Sequence, residues 1–246
     1  MSEEWRSAAY AHYVSARIAS APESLSSLEG RRPYFQRLIR RYFPKDVNAA
    51  IWDLGCGHGA LIHFARLAGY KNVRGVDASV EQVQTAAKLG IDGVELGNIF
   101  EALSAVDDFS CSVVISFDVV EHQTKDELNL LASLVFKKLA AGGKWIIHAP
   151  NAESPFFGRI RYGDITHEQA FTRESIAQVL LLAGFSSVAC EEDAPVVHGP
   201  VSAVRLFFWW FIRNVWRFVL AAETGDSGKD SIFLRTCWQL PSNEKS

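Results

Sequence analysis

Cysteine is sparse, net charge is small, and neither repeats nor low-complexity tracts occur. The 246 residues hold four cysteines, Cys56, Cys111, Cys190 and Cys237, with no C-x-x-C among them. That scatter excludes a cysteine-built zinc site and a disulfide framework, so free thiols are expected. A formal net charge of −3 lacks the basic excess of a nucleic-acid-binding surface. The one basic cluster, Arg31-Arg32 with Arg37, Arg40 and Arg41, reads as a solvated helix face. The start, Met1-Ser2-Glu3-Glu4-Trp5, has no apolar run, so no signal peptide is expected and the protein is placed in the cytoplasm. Hydrophobic residues make up 48%, enough for the core of one α/β domain with appendages.

What is present centres on Ile51-Trp52-Asp53-Leu54-Gly55-Cys56-Gly57-His58-Gly59. The apolar run 49–54 predicts a short buried strand that stops in three glycines at alternate positions. Such a loop leaves N–H groups exposed and removes the Cβ atoms that would block a ligand. Residues 60–69 follow as a helix with Leu61, Phe64, Ala65 and Ala68 on one face. The spacing lacks the third glycine of the dinucleotide fingerprint G-x-G-x-x-G.

The pattern Asp-x-Gly-x-Gly-x-Gly, from Asp53 to Gly59, resembles the first motif of class I S-adenosylmethionine (SAM)-dependent methyltransferases. The resemblance covers roughly residues 45–193 and the last strand. It implies a Rossmann-like, doubly wound seven-stranded sheet of order 3-2-1-4-5-7-6 with the last strand antiparallel. Residues 1–44 are expected to form an N-terminal helical cap. Residues 45–246 would be the SAM-binding domain, with an amphipathic helical insertion at 195–230. SAM is the implied cofactor, with Asp53, Gly55, Cys56 and Gly57 at the glycine loop.

Further stations follow in order. Asn72 to Asp77 reads as the second strand, and Asp77 lies 24 residues after Asp53. An acid at that strand tip accepts hydrogen bonds from both ribose hydroxyls. Ala78 is placed beside the adenosine, and Ser79 is the expected cap of the next helix, 79–89. The third strand, 93–99, carries Asn98-Ile99 where the family often has Asp and an apolar residue. There the Asn98 carbonyl oxygen would accept from the adenine amino group. Residues 112–118 form a near-continuous apolar fourth strand, and Asp118 is assigned to the methionine end. The following Glu121-His122 resembles the post-strand motif of ubiquinone-type methyltransferases. Residues 125–141 predict a long helix stopped by Gly142-Gly143. A fifth strand at 144–150, a helix at 172–183, a sixth strand at 186–191 and a seventh at 232–240 complete the expectation. N-terminal helices are read over 5–20 and 33–43.

Methyl transfer from SAM is an in-line displacement in which the protein chiefly aligns acceptor and methyl. A hydroxyl acceptor also benefits from a base, and histidine suits neutral pH. His122, His148 and His167 all fall near the expected pocket. His122 and His167 are the candidate bases, and His148 is read as packing and bonding to backbone. Glu121, His122 and Asp164 or His167 are the right residue types for a cation, but no tight ligand spacing requires one and no metal is expected.

The stretch VSAVRLFFWWFIRNVWRFVLAA, 201–222, is unusual. On a helical wheel, nine apolar residues from Val201 to Val219 share one face, with Ser202, Arg205, Arg213, Asn214 and Arg217 on the other. This is the composition of a helix in a membrane interface, while its arginines oppose a spanning one. A helix covering the sheet and a dimer contact are the alternatives. The acceptor is accordingly read as a small molecule or a lipid-linked compound, quinol-type or glycan-type, O-methylated, with no nucleic acid partner. A nicotinamide-dependent oxidoreductase and a non-catalytic SAM-binding subunit are the competing readings. Oligomeric state is open.

Overall fold

The computed structural model describes residues 3–225. Its centre is a parallel sheet of β1 (Ile51–Leu54), β2 (Val73–Asp77), β3 (Val94–Leu96), β4 (Cys111–Phe117) and β5 (Leu139–His148) in the order β3-β2-β1-β4-β5. This is the 3-2-1-4-5 part of the expected order. The seventh strand, 232–240, lies outside the described residues.

Helices cover both faces, as parallel strands require. On one face α2 (Arg32–Tyr42), α3 (Ala60–Leu67) and α4 (Val80–Lys88) enclose Phe35, Leu38, Ile51, Phe64, Val113 and Ile115. On the other, α5 (Ile99–Ser104), α6 (Lys125–Lys138) and α8 (Arg173–Leu182) enclose Leu54, Val114, Leu131, Trp145, Ile147 and Leu180. The alternation Val113/Val114/Ile115 across β4 sends successive side chains into the two layers. The remaining helices are α1 (Glu3–Ala11), α7 (Phe157–Arg161) and α9 (Pro200–Thr224).

Four expectations need correction. The N-terminal helix stops at Ala11. Beyond it, Val14 and Ser15 donate their N–H groups to Glu81 Oε2 at 2.6 and 3.0 Å, which ties the chain to α4. Gly142-Gly143 does not stop α6. Leu139 already pairs with Cys111 in β5, and the glycines fill an irregularity before Lys144 reaches Val113. A Cβ on Gly143 would come within 2.8 Å of the Ala140 carbonyl oxygen. Residues 186–191 run without regular structure instead of forming a sixth strand. Side chains hold this segment, with Arg41 paired to Glu191 and Arg37 to Asp193, both from α2. Finally, the third strand, expected over 93–99, ends at Leu96, and Asn98 caps a helix, α5, that begins at Ile99.

Candidate active site

A cavity of about 770 Å³ opens at the carboxyl ends of the strands, where open α/β sheets bind ligands. It brings together every residue singled out as a candidate: Asp53, Gly55, Cys56 and Gly57 after β1, Asp77 and Ala78 after β2, Asn98 and Ile99 after β3, then Asp118, His122 and His167.

The glycine loop has the backbone that its glycines permit. Gly55, Gly57 and Gly59 have φ of +67°, +55° and +77°. A Cβ on Gly55 would strike Val119 Cγ2 at 2.4 Å. A Cβ on Gly57 would have only the Gln82 side chain nearby, at 3.7 Å. The Cys56 thiol lies against Gly75 of β2, and burial raises its pKa well above the ordinary value.

Asp77 accepts from the Gly57 N–H at 2.7 Å with one oxygen and from the Ser79 N–H at 2.8 Å with the other. Its carboxylate therefore fastens the glycine loop while keeping further lone pairs. Burial raises its pKa despite both N–H donors. Ser79 caps α4, as expected, by accepting from the Gln82 N–H. Asp53 is fully buried beneath the loop. Burial, reinforced by Asp77, moves its pKa to about 8, and its Oδ1 has no hydrogen-bond partner among the described residues. Asn98 Oδ1 accepts from the Phe100 N–H at 2.8 Å and so caps α5. This side chain has a structural task that the sequence reading did not assign. An orphaned acid, an acid at the next strand tip and a loop with alternate glycines that carry no Cβ suit a polar nucleoside-bearing ligand such as the implied cofactor.

On the far wall, the hydroxyl of buried Thr166 lies 2.5 Å from Asp164 Oδ1 and 2.9 Å from His122 Nδ1. A carboxylate only accepts, so the hydroxyl proton goes to Asp164, and Thr166 Oγ1 in turn accepts from His122 Nδ1–H. The neutral imidazole is thereby left with its lone pair on Nε2. Burial and the neighbouring His167 lower the His122 pKa to about 4, so the ring is neutral at pH 7. The rings of His122 and His167 meet edge to face at 4.7 Å. Glu121, 1% exposed, has no hydrogen-bond partner for either carboxylate oxygen among the described residues, and burial raises its pKa well above the usual range. Glu121, His122 and His167 bring one ligand atom each to within 4.8 Å of the others, a group that could hold a metal ion.

His148 corrects another expectation. It bonds to side chains, not merely to backbone: Nδ1 lies 2.5 Å from Asp118 Oδ1 and Nε2 lies 3.8 Å from Asp193. Burial alone would lower its pKa, but the two acids raise it to about 9. Its ring stacks on Phe117 at 3.9 Å.

The outer wall comes from the N-terminal stretch that is expected to form a helical cap. Arg6, Tyr10, Tyr13 and Ile18 line the cavity, and the Tyr13 hydroxyl donates to Asp164 Oδ2 at 3.3 Å. Tyr10, Tyr13 and Ile18 belong to the apolar and aromatic pattern of the expected helix over 5–20, whereas Arg6 carries no such signal.

The family profile described as a methyltransferase domain matches residues 27–189. A comparison with curated proteins finds no match. Among solved structures, a SAM-dependent methyltransferase from Archaeoglobus fulgidus is similar in fold, with a TM-score of 0.60 and 21% identity over 87% of this chain and 95% of that one. A SAM-dependent methyltransferase from Mesorhizobium loti follows, with a TM-score of 0.54 and 17% identity over 86% and 99%. Phosphoethanolamine N-methyltransferase 2 of Haemonchus contortus, in complex with SAM, gives a TM-score of 0.58 and 16% identity over 96% of this chain and 56% of that one.

Proposed function

The chain belongs to the methyltransferase-domain family of SAM-dependent enzymes, and we propose that it methylates an oxygen of a small or lipid-linked acceptor, of the quinol or glycan type, with His122 as general base. The observation that carries this reading is the chain Asp164–Thr166–His122, which directs a neutral Nε2 lone pair away from its own partners. An amine acceptor has a lone pair of its own to attack with, whereas a hydroxyl gains from losing its proton.

Bound SAM supplies an electrophilic methyl group on a sulfonium that leaves as a thioether. Asp77 would hold the ribose hydroxyls, the loop Gly55-Cys56-Gly57 would pass beneath the cofactor, and Ala78, Asn98 and Ile99 would flank the adenine. Asp118 would face the methionine end while its Oδ1 remains on His148. His122 Nε2 would accept the acceptor's hydroxyl proton and so prepare that oxygen for the methyl group that SAM would supply. His167, whose Nε2 is 3.8 Å from Asp164 Oδ2, is the second candidate base.

Calorimetric titration with S-adenosylhomocysteine, using NAD as control, should give binding of the first alone. With an acceptor found among quinols and lipid-linked sugars, His122→Ala should lower kcat by about 10²–10⁴-fold and leave S-adenosylhomocysteine affinity unchanged. Wild-type turnover in that variant would remove His122 from the role of base.

A further inference from the structure

Arg31 belongs to the basic cluster that reads from the sequence as a solvated helix face, yet it differs from three of its neighbours there. Arg32 pairs with Glu29, Arg37 with Asp193 and Arg41 with Glu191. Among the described residues, the Arg31 guanidinium has neither an ion pair nor a hydrogen bond. It lies over the Phe35 ring at 4.8 Å and lines the cavity. The protein around it withdraws enough water to lower its pKa. A partly desolvated cation without a partner is costly until an anion completes it.

Asp118 stands on the same stretch of wall. Its φ of +56° lies in the left-handed region, which a residue with a side chain adopts where its surroundings impose it. Its N–H donates to the His148 carbonyl oxygen at 2.9 Å, and its Oδ1 lies on His148 Nδ1. The side chain nevertheless stays 50% exposed. Phe35, beneath Arg31, is 6.3 Å from Phe117, the residue before Asp118. Asp118 is also the acid whose charge acts on Arg31.

Charge and position select the ligand. The amino-acid end of SAM carries a carboxylate and an ammonium together. An acid alone would attract one and repel the other, whereas an acid and a cation side by side match both. The cavity's other basic groups are engaged elsewhere. Arg6 pairs with Glu127 and Glu168. Burial lowers the pKa of His58 and keeps it neutral, with Nδ1 on Gln82 Oε1. Arg159 stands on α7 against Gly163, beside Asp164 on the far wall. Arg31 instead acts on His58, next to Gly57, and so lies on the side of the glycine loop. Building on the assignment of Asp118 to the methionine end, we propose that Arg31 binds the carboxylate of SAM and, with Asp118 on the ammonium, clamps the amino-acid end of the cofactor.

The full chain is titrated calorimetrically with S-adenosylhomocysteine and with its decarboxylated analogue, S-adenosyl-3-thiopropylamine, which keeps the adenosine and the ammonium. Arg31→Met should weaken S-adenosylhomocysteine binding by at least about tenfold and leave the analogue bound as in wild type. The retained analogue affinity then also reports an intact fold. Arg31→Lys should recover part of the loss, because an ammonium keeps the charge without the bidentate fork. Equal S-adenosylhomocysteine affinity in wild type and Arg31→Met would overturn the proposal and leave the cation to an acidic group of the acceptor. Loss of both ligands in the same proportion would reduce Arg31 to packing on Phe35 and overturn it as well. Wild type that binds neither ligand would remove the cofactor site and the clamp together.

Discussion

Two buried groups show how neighbours redefine a residue. Asp53 and His148 both lie beneath the cavity, yet burial pushes their equilibria in opposite chemical senses. Burial favours the neutral carboxyl of Asp53, whereas Asp118 and Asp193 overcome burial and hold His148 charged. The consequence for His148 is a pH dependence of stability. Its folded pKa, about 9, lies above the ordinary 6.5. The pair therefore stabilises the fold fully below about pH 6.5, and that contribution is lost as pH rises through about 9. Urea denaturation across pH 6–10 should show wild type losing stability over this window. His148→Gln should remove this part of the slope, and parallel curves for the two proteins would refute the assignment. Asp118 was legible from its strand-end position, but its partner His148 was not. Their pairing depends on β4 and β5 being neighbours, which puts Phe117 opposite His148.

Among the elements, short local signals were reliable where one residue serves one turn. Ser79 and Thr172 cap their helices by accepting from the residue three positions on, and Thr124, a cap not anticipated from the sequence, does the same for α6. Gly59 is more demanding because it joins two requirements. It is the left-handed cap of α3, and a Cβ there would meet Val94 Cγ2 at 2.6 Å and Ile91 Cγ2 at 3.0 Å. Gly59→Ala combines backbone strain with overpacking and should destabilise by about 2–4 kcal/mol, measured by urea denaturation. A change below about 0.5 kcal/mol, the usual range for an unconstrained surface site, would mean that the loop relaxes freely. The readings that failed at this scale were those that required a partner. Residues 186–191 have strand-like composition, but Arg41 and Tyr42 of α2 engage Glu191 at their end. Gly142-Gly143 resembles a helix stop, yet the hydrogen bonding of Leu139 opposite Cys111 ends α6 first.

For the whole molecule, a decisive contact joins the N-terminal segment to α4. Glu81 at the start of α4 accepts from Val14 and Ser15, and this holds the wall bearing Tyr10 and Tyr13 over the cavity. Glu81→Ala should speed amide hydrogen exchange at Val14 and Ser15 by at least about tenfold, while the amides of β1 stay protected. Unchanged exchange at those two positions would show that the wall is held by other contacts. The sequence by itself determined the glycine loop and the acid at the next strand tip, because these rest on local periodicity and on backbone conformations that glycine permits, whereas the order of the sheet was implied only by the family resemblance. It also determined the apolar stripe of α9, which is a matter of spacing alone. Tertiary structure decided which way that stripe faces, since orientation depends on Arg213 finding Glu192 at the body. It likewise decided that Thr166 and Asp164 meet His122 more than forty residues away along the chain, because a proton relay exists only once separate loops share one buried volume.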